Sequence, residues 1–159
     1  MTNAHDFSFT AIEGGPLKLK DFSGKAVLLV NTASACGLTP QFKGLQALWA
    51  AKRDAGLIVL GVPSNDFGAQ EPLTEEKVVE FCEVRYGVDF PLTTKTHVVG
   101  TDAHPLYKWI AGTLGEAAAP RWNFHKYLIG KDGALLGTFG SRTEPDDAAM
   151  GDAINAALK

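Results

Sequence analysis

Of the two cysteines in the chain, Cys36 occupies the position where a thiol could do chemistry. It follows the apolar run Ala26-Val27-Leu28-Leu29-Val30-Asn31-Thr32 and precedes a helix start at Leu38-Thr39-Pro40-Gln41. A strand feeding a helix across so short a link leaves the thiol at a helix N-terminus, where unsatisfied N–H groups and the dipole favour a thiolate. The flanks, Ala33-Ser34-Ala35 and Gly37, place little bulk over it. Position alone leaves two readings open, a reactive nucleophile and a small buried hydrophobe. Cys82 is too distant in sequence for a CxxC pair, and two cysteines cannot build a cysteine-rich zinc site. His5, His97, His104 and His125 show neither H-x₃-H nor HExxH spacing, and there is no Gly-rich phosphate cradle, so neither a metal nor another cofactor is expected.

The elements that must position Cys36 alternate strand and helix. Phe7–Ala11 and Leu17–Lys20 flank Gly14-Gly15-Pro16 and read as a hairpin. Ala26–Thr32 and Leu57–Pro63 are nearly all apolar, as strands covered on both faces are. Between them a helix is expected from Pro40 to Ala55, with Thr39 as N-cap, Pro40 in the first turn and Gly56 as the stop. Thr74-Glu75-Glu76 starts a helix running to Tyr86 before Gly87, and His104–Leu114 forms another. Lys126–Ile129 and Ala134–Phe139 bracket the Asp-Gly turn of a second hairpin. Thr143 is expected to cap a C-terminal helix ending near Leu158. The order is that of an α/β thioredoxin fold: an N-terminal β-hairpin, then a mixed central sheet flanked by helices, with residues 1–159 forming a single domain.

That topology gathers distant residues. The loops after the two parallel strands, holding Cys36 and Gln70, open at one edge of the sheet. The first strand of the final hairpin runs antiparallel to them, so Trp122-Asn123, just before it, belong to the same rim. Taken singly, Trp122 reads as a rim aromatic, Asn123 as a turn residue and Gln70 as a solvated loop side chain. Together they offer an indole N–H and two carboxamides, uncharged donors that suit a thiolate and the anionic oxygen leaving a cleaved O–O bond. Acyl transfer would instead want a histidine base, and no histidine is placed by pattern beside Cys36.

Composition narrows the classes of function. The 159 residues, 45% hydrophobic and 21% charged, suit one globular domain. Net charge is −3, with 7 basic and 9 acidic residues in the first 80 and 8 and 9 in the rest, which argues against nucleic acid or an anionic membrane as partner. The first residues carry no secretory pattern and no apolar run reaches the ~20 residues of a membrane span, so a soluble, cytoplasmic protein with reduced thiols is expected.

Four ordered blocks carry a resemblance: Asn31-Thr32-Ala33-Ser34-Ala35-Cys36-Gly37-Leu38-Thr39-Pro40-Gln41, Gly61-Val62-Pro63-Ser64-Asn65-Asp66-Phe67-Gly68-Ala69-Gln70-Glu71-Pro72, Phe81-Cys82 with Tyr86-Gly87-Val88-Asp89-Phe90-Pro91, and Trp122-Asn123-Phe124. The chain resembles the glutathione peroxidase family in its cysteine-containing, thioredoxin-dependent, phospholipid hydroperoxide branch, from about Phe7 to Phe139. The resemblance implies a thiol peroxidase that reduces hydrogen peroxide and organic or lipid hydroperoxides. Cys36 would be the peroxidatic residue, with Gln70, Trp122 and Asn123 as its catalytic partners. It also implies that Cys82 resolves the Cys36 sulfenic acid as a disulfide, re-reduced by thioredoxin, with glutathione as the alternative reductant. The short spacer Gly112–Pro120 implies, by the same resemblance, a monomer with an open site. Departures are Ser64 and Asp66, where the family often has cysteine and glutamine, and Ala69 for a common glycine. Asp66 brings a negative charge toward the rim, which opposes a thiolate if close and unpaired.

Val78, Cys82 and Tyr86, at i, i+4 and i+8, put Cys82 on the apolar face of its helix, so pairing with Cys36 requires that helix to unwind locally. Two rival readings stand beside the enzyme: a peroxide sensor passing its disulfide to a partner protein, and a non-catalytic thioredoxin-fold binding module with a structural Cys36.

Overall fold

The N-terminal hairpin is shorter than the sequence pattern suggests. In the computed structural model, which describes residues 2–159, β1 (Ser8–Thr10) pairs antiparallel with β2 (Pro16–Lys18), and the chain then turns into a 3₁₀ segment, Leu19–Phe22. The two continuous apolar runs become β3 (Ala26–Thr32) and β4 (Leu57–Pro63), buried at every position. They pair in parallel, from Ala26 opposite Leu57 to Thr32 opposite Pro63. α1 (Gln41–Lys52) crosses between them and closes through a 3₁₀ turn onto Gly56, whose φ of +106° suits glycine.

Thr39 is not the N-cap of α1. Pro40 takes that position without a side-chain bond, because the Thr39 hydroxyl is engaged in the turn holding Cys36. α2 (Glu75–Tyr86) is capped by Thr74, which accepts the Lys77 N–H, and stopped by Gly87. α3 (Pro105–Leu114) starts at His104, whose ring accepts the Leu106 N–H. β5 (Lys126–Ile129) pairs antiparallel with β3, and β6 (Leu135–Phe139) with β5, giving the sheet order β4-β3-β5-β6. α4 (Ala148–Ala157) is capped by Asp147 rather than Thr143. Pro145 disfavours helical backbone at Glu144, and its ring packs against Gly44, where an added Cβ would lie 2.9 Å from it.

Alternation along β3 divides the core. Leu28 and Val30 face Phe42 and Leu45 of α1, Val78 and Cys82 of α2, and Met150 and Ile154 of α4. Val27 and Leu29 face the other layer, with Leu106, Tyr107 and Ile110 of α3. With both faces covered, β3 and β4 form a rigid base, and the loops leaving their C-terminal ends carry the rim. Among the described residues no helix is long and apolar enough to cross a membrane.

Candidate active site

Cys36 sits in a tight turn that its neighbours hold from several sides. Its N–H donates to Thr39 Oγ1 at 2.9 Å, that hydroxyl donates to Ala33 O, and the Thr39 N–H returns to Cys36 O. The Leu38 N–H donates to Cys36 Sγ at 3.3 Å. The donor on sulfur is therefore an amide of the turn ahead of α1, not one of the helix itself, and it suits a sulfur bearing negative charge.

Gln70 and Trp122 line one open cleft of about 500 Å³ with Cys36, Gly37 and Leu38. Backbone contact ties the two loops, because the Ala35 N–H donates to Gln70 O at 2.9 Å. Asn123 is fully buried, and its Nδ2 donates to Gln70 Oε1 at 2.9 Å, which occupies that oxygen and leaves the Gln70 amide N–H groups as donors. The strand pins this corner. Asn31 Nδ2 donates to Trp122 O at 3.0 Å, and the Phe124 N–H donates to Asn31 O. Trp122 packs on Phe67, ring centroids 5.7 Å apart, and on Gly68, where a Cβ would lie 3.1 Å from the indole. It keeps 37% of its surface exposed, so the cleft has an aromatic wall open to solvent. The rim placed by topology thus brings Cys36, Gln70 and Trp122 around one opening, with Asn123 behind Gln70.

Cys82 lies elsewhere. It is 1% exposed on the inner face of α2 and borders a different cavity, with Trp49, Val88 and Phe90. Both thiols are free. Burial pushes the Cys82 thiol up to about 12, with the charges of Glu71 and Glu83 adding to the effect. Glu71, next to Gln70, is itself fully buried under the Cys36 loop, where the Ser34 hydroxyl donates to its carboxylate, and burial raises its pKa.

Asp66 is not the unpaired charge that its sequence position allows. Its carboxylate accepts the Val98 N–H at 2.7 Å and the Val99 N–H at 3.3 Å and meets His97 Nδ1 at 2.7 Å, so its charge is spent organising the loop before α3. His125 is buried against Thr138, and burial, with Lys126 and Arg121 nearby, lowers its pKa to about 4, so it is neutral near pH 7. Among the described residues no histidine lines the Cys36 cleft. Among the described residues no three His, Cys, Asp or Glu side chains are grouped to hold a metal ion.

Sequence reasoning missed Arg142 and Glu144, which complete the cleft wall. The signal was the topology already in use: β5 starts at the rim, so antiparallel β6 must end there and deliver the following loop to the same edge.

Comparisons with known proteins show the family and the fold. A family model described as glutathione peroxidase matches residues 4–111. The hydroperoxy fatty acid reductase gpx1 of Synechocystis sp. is 46% identical over 153 residues, spanning 91% of this chain and 90% of that protein. The glutathione peroxidase-like peroxiredoxin 2 of Saccharomyces cerevisiae is 40% identical over 148 residues, spanning 91% of each. Among solved structures, the crystal structure of Trgpx is 38% identical, with a TM-score of 0.77 over 99% of this chain and 95% of that one. That of T. cruzi GPX1 is 27% identical, with a TM-score of 0.79 over 99% and 97%. The chain is a thioredoxin-fold peroxidase and belongs to the glutathione peroxidase family.

Proposed function

We propose that the chain reduces hydrogen peroxide and organic or fatty-acyl hydroperoxides through Cys36, with Gln70, Trp122 and Asn123 as its partners, Cys82 as resolving residue and thioredoxin as reductant. The observation that carries the reading is the shared cleft of Cys36, Gln70 and Trp122, with Asn123 fixing the Gln70 carboxamide. The Cys36 thiolate attacks one peroxide oxygen, the O–O bond breaks, and sulfur becomes a sulfenic acid. The departing hydroxide or alkoxide takes up a proton as water or alcohol, and the uncharged donors of the rim stabilise its charge before it does. Cys82 then attacks the sulfenic sulfur, water leaves and a disulfide forms. A dithiol reductant exchanges with that disulfide and returns both thiols. The names of the relatives, hydroperoxy fatty acid reductase and glutathione peroxidase-like peroxiredoxin, support a hydroperoxide substrate and a peroxiredoxin-type cycle. An open cleft bounded by Leu38 and Trp122 suits a bulky hydroperoxide. We place the activity in the cytoplasm, in a monomer.

The test is steady-state consumption of cumene hydroperoxide driven by thioredoxin, its reductase and NADPH, against the same assay driven by glutathione. Turnover with thioredoxin that Cys82→Ser abolishes supports the two-thiol cycle. Turnover that survives in Cys36→Ser removes the assigned nucleophile, and oxidation that stops at one equivalent makes the protein a relay.

A further inference from the structure

A buried charge behind the cleft has no part in the chemistry above. Lys126 opens β5 and is fully buried, with Val30 of β3 and Phe139 of β6 as its strand partners. Its Nζ donates to Phe124 O at 2.7 Å and reaches Ser141 O at 3.5 Å. Among the described residues no carboxylate lies within ion-pair distance of this ammonium. Burial lowers its pKa to about 8, and the charge of Glu144 opposes that shift.

The two carbonyls belong to two separate segments that line the cleft. Phe124 ends the turn that presents Trp122 and Asn123, and Ser141 lies in the loop that presents Arg142 and Glu144. Phe124 has a φ of +65°, a conformation costly for a bulky residue, and its ring is locked in the core edge-on to Phe42, 5.3 Å between centroids. With the ring fixed inward, the carbonyl finds its partner in the lysine. Without that donor, a buried acceptor would be left unsatisfied, and the backbone would gain by leaving the left-handed region. Ser141 O also accepts from Gln41 Nε2 at 2.7 Å, so the same anchor reaches the start of α1.

We propose that Lys126 is a positioning residue of the peroxidase site: its ammonium ties the Trp122–Phe124 turn to the 140–144 loop and so fixes the width of the cleft over Cys36. The proposal rests on the reading of Cys36 and Trp122 as members of the reacting set. Lys126→Met removes the clamp while keeping an apolar stem in the strand. It should slow single-turnover oxidation of Cys36 by hydrogen peroxide about 10- to 100-fold, the loss expected when reacting groups shift by about an ångström. Alkylation of Cys36 by iodoacetamide, followed by mass mapping, needs the thiol but not the walls and should hardly change. Because Lys126 acts through the turn, its effect should largely vanish in a Trp122→Phe background. Additive losses in the double variant, or a parallel fall in alkylation, would overturn the proposal. Lys126→Gln keeps one N–H for Phe124, should fall between the parent and Lys126→Met, and serves if the methionine variant does not fold. Failure here is distinct from failure of the functional reading, which Cys36→Ser tests alone.

Discussion

The two thiols occupy opposite kinds of site. Cys36 lies in a loop at the edge of the sheet, half-buried, with an amide on its sulfur and an open cleft before it. Cys82 lies inside a capped helix, 1% exposed in a packed core, with its proton held to about 12. One thiol is arranged to meet a small molecule and the other to be kept from solvent. If the two pair as proposed, α2 has to open, and the cost of that opening would set the pace of the second half-reaction.

Replacing each cysteine is the strongest way to break this contrast. Cys36→Ser should lower peroxide consumption by at least about 10³-fold, since no other group replaces the nucleophile. Cys82→Ser should leave the first oxidation of Cys36 intact and stop only the thioredoxin-driven cycle, leaving sulfenic or overoxidised Cys36 in mass spectra. A Cys82→Ser protein that cannot be oxidised at all would erase the distinction between the two sites.

The pH dependence of disulfide formation sharpens it further. If attack follows unwinding of α2, Cys82 titrates as a solvated thiol, and the resolution rate should climb about tenfold per unit and level off near 8.5–9. Attack from the folded helix would keep the rate climbing toward about 12. The same shift has a stability consequence. The folded thiol keeps its proton from its ordinary 9.0 up to about 12 while the unfolded one releases it, so stability is lost as pH rises through that window. Cys82→Ala should lack this loss in denaturant melts at pH 8 and pH 10.

How much of the contrast the sequence carries differs between the two regions. β3 and β4 were readable to the residue because strands covered on both faces are continuous apolar runs bounded by turns. Cys82 was readable as inward-facing from Val78 and Tyr86 on the same helical stripe. The rim was readable as a neighbourhood, since parallel connectivity places Cys36 and Gln70 at one edge, but not as a geometry. Three choices decided that geometry. Thr39 turns its hydroxyl into the Cys36 turn rather than onto α1, Asp66 spends its charge on the Val98 and Val99 amides, and Phe124 enters the left-handed region to aim Asn123 at Gln70. Asp66 and Asn123 depend on partners remote in sequence, and Thr39 chooses between two local uses of one hydroxyl, so neither local propensity nor charge counting could settle them. The C-terminal cap was misread through a remote partner too, as Thr143 yields to Asp147 where Pro145 docks on Gly44.

A milder perturbation weakens the helix without touching either sulfur. Thr74→Ala removes the cap that accepts the Lys77 N–H, worth about 1 kcal/mol of helix stability. Opening of α2 should become about fivefold more frequent, and disulfide formation after a peroxide pulse should speed up by that factor. The first oxidation of Cys36, followed by stopped-flow fluorescence, should not change. Equal acceleration of both steps would mean that α2 also gates the Cys36 cleft.

The smallest effect lies on the rim itself. Ala69 stands where the resemblance places a common glycine, and it adopts a φ of +51°, with Gly68 before it at +65°. A non-glycine residue in the left-handed region costs about 1–2 kcal/mol. Ala69→Gly removes that strain but adds about 0.5–1 kcal/mol of freedom to the unfolded chain. The net gain is about 1 kcal/mol, a rise of about 2–4 °C in Tm for a chain of this size. The substitution lies next to Gln70, so a rise in Tm with an unchanged rate of Cys36 oxidation would mean that Asn123 and the Ala35 amide hold Gln70 unaided. A slower oxidation at higher Tm would mean that the strained alanine itself helps to stiffen the rim.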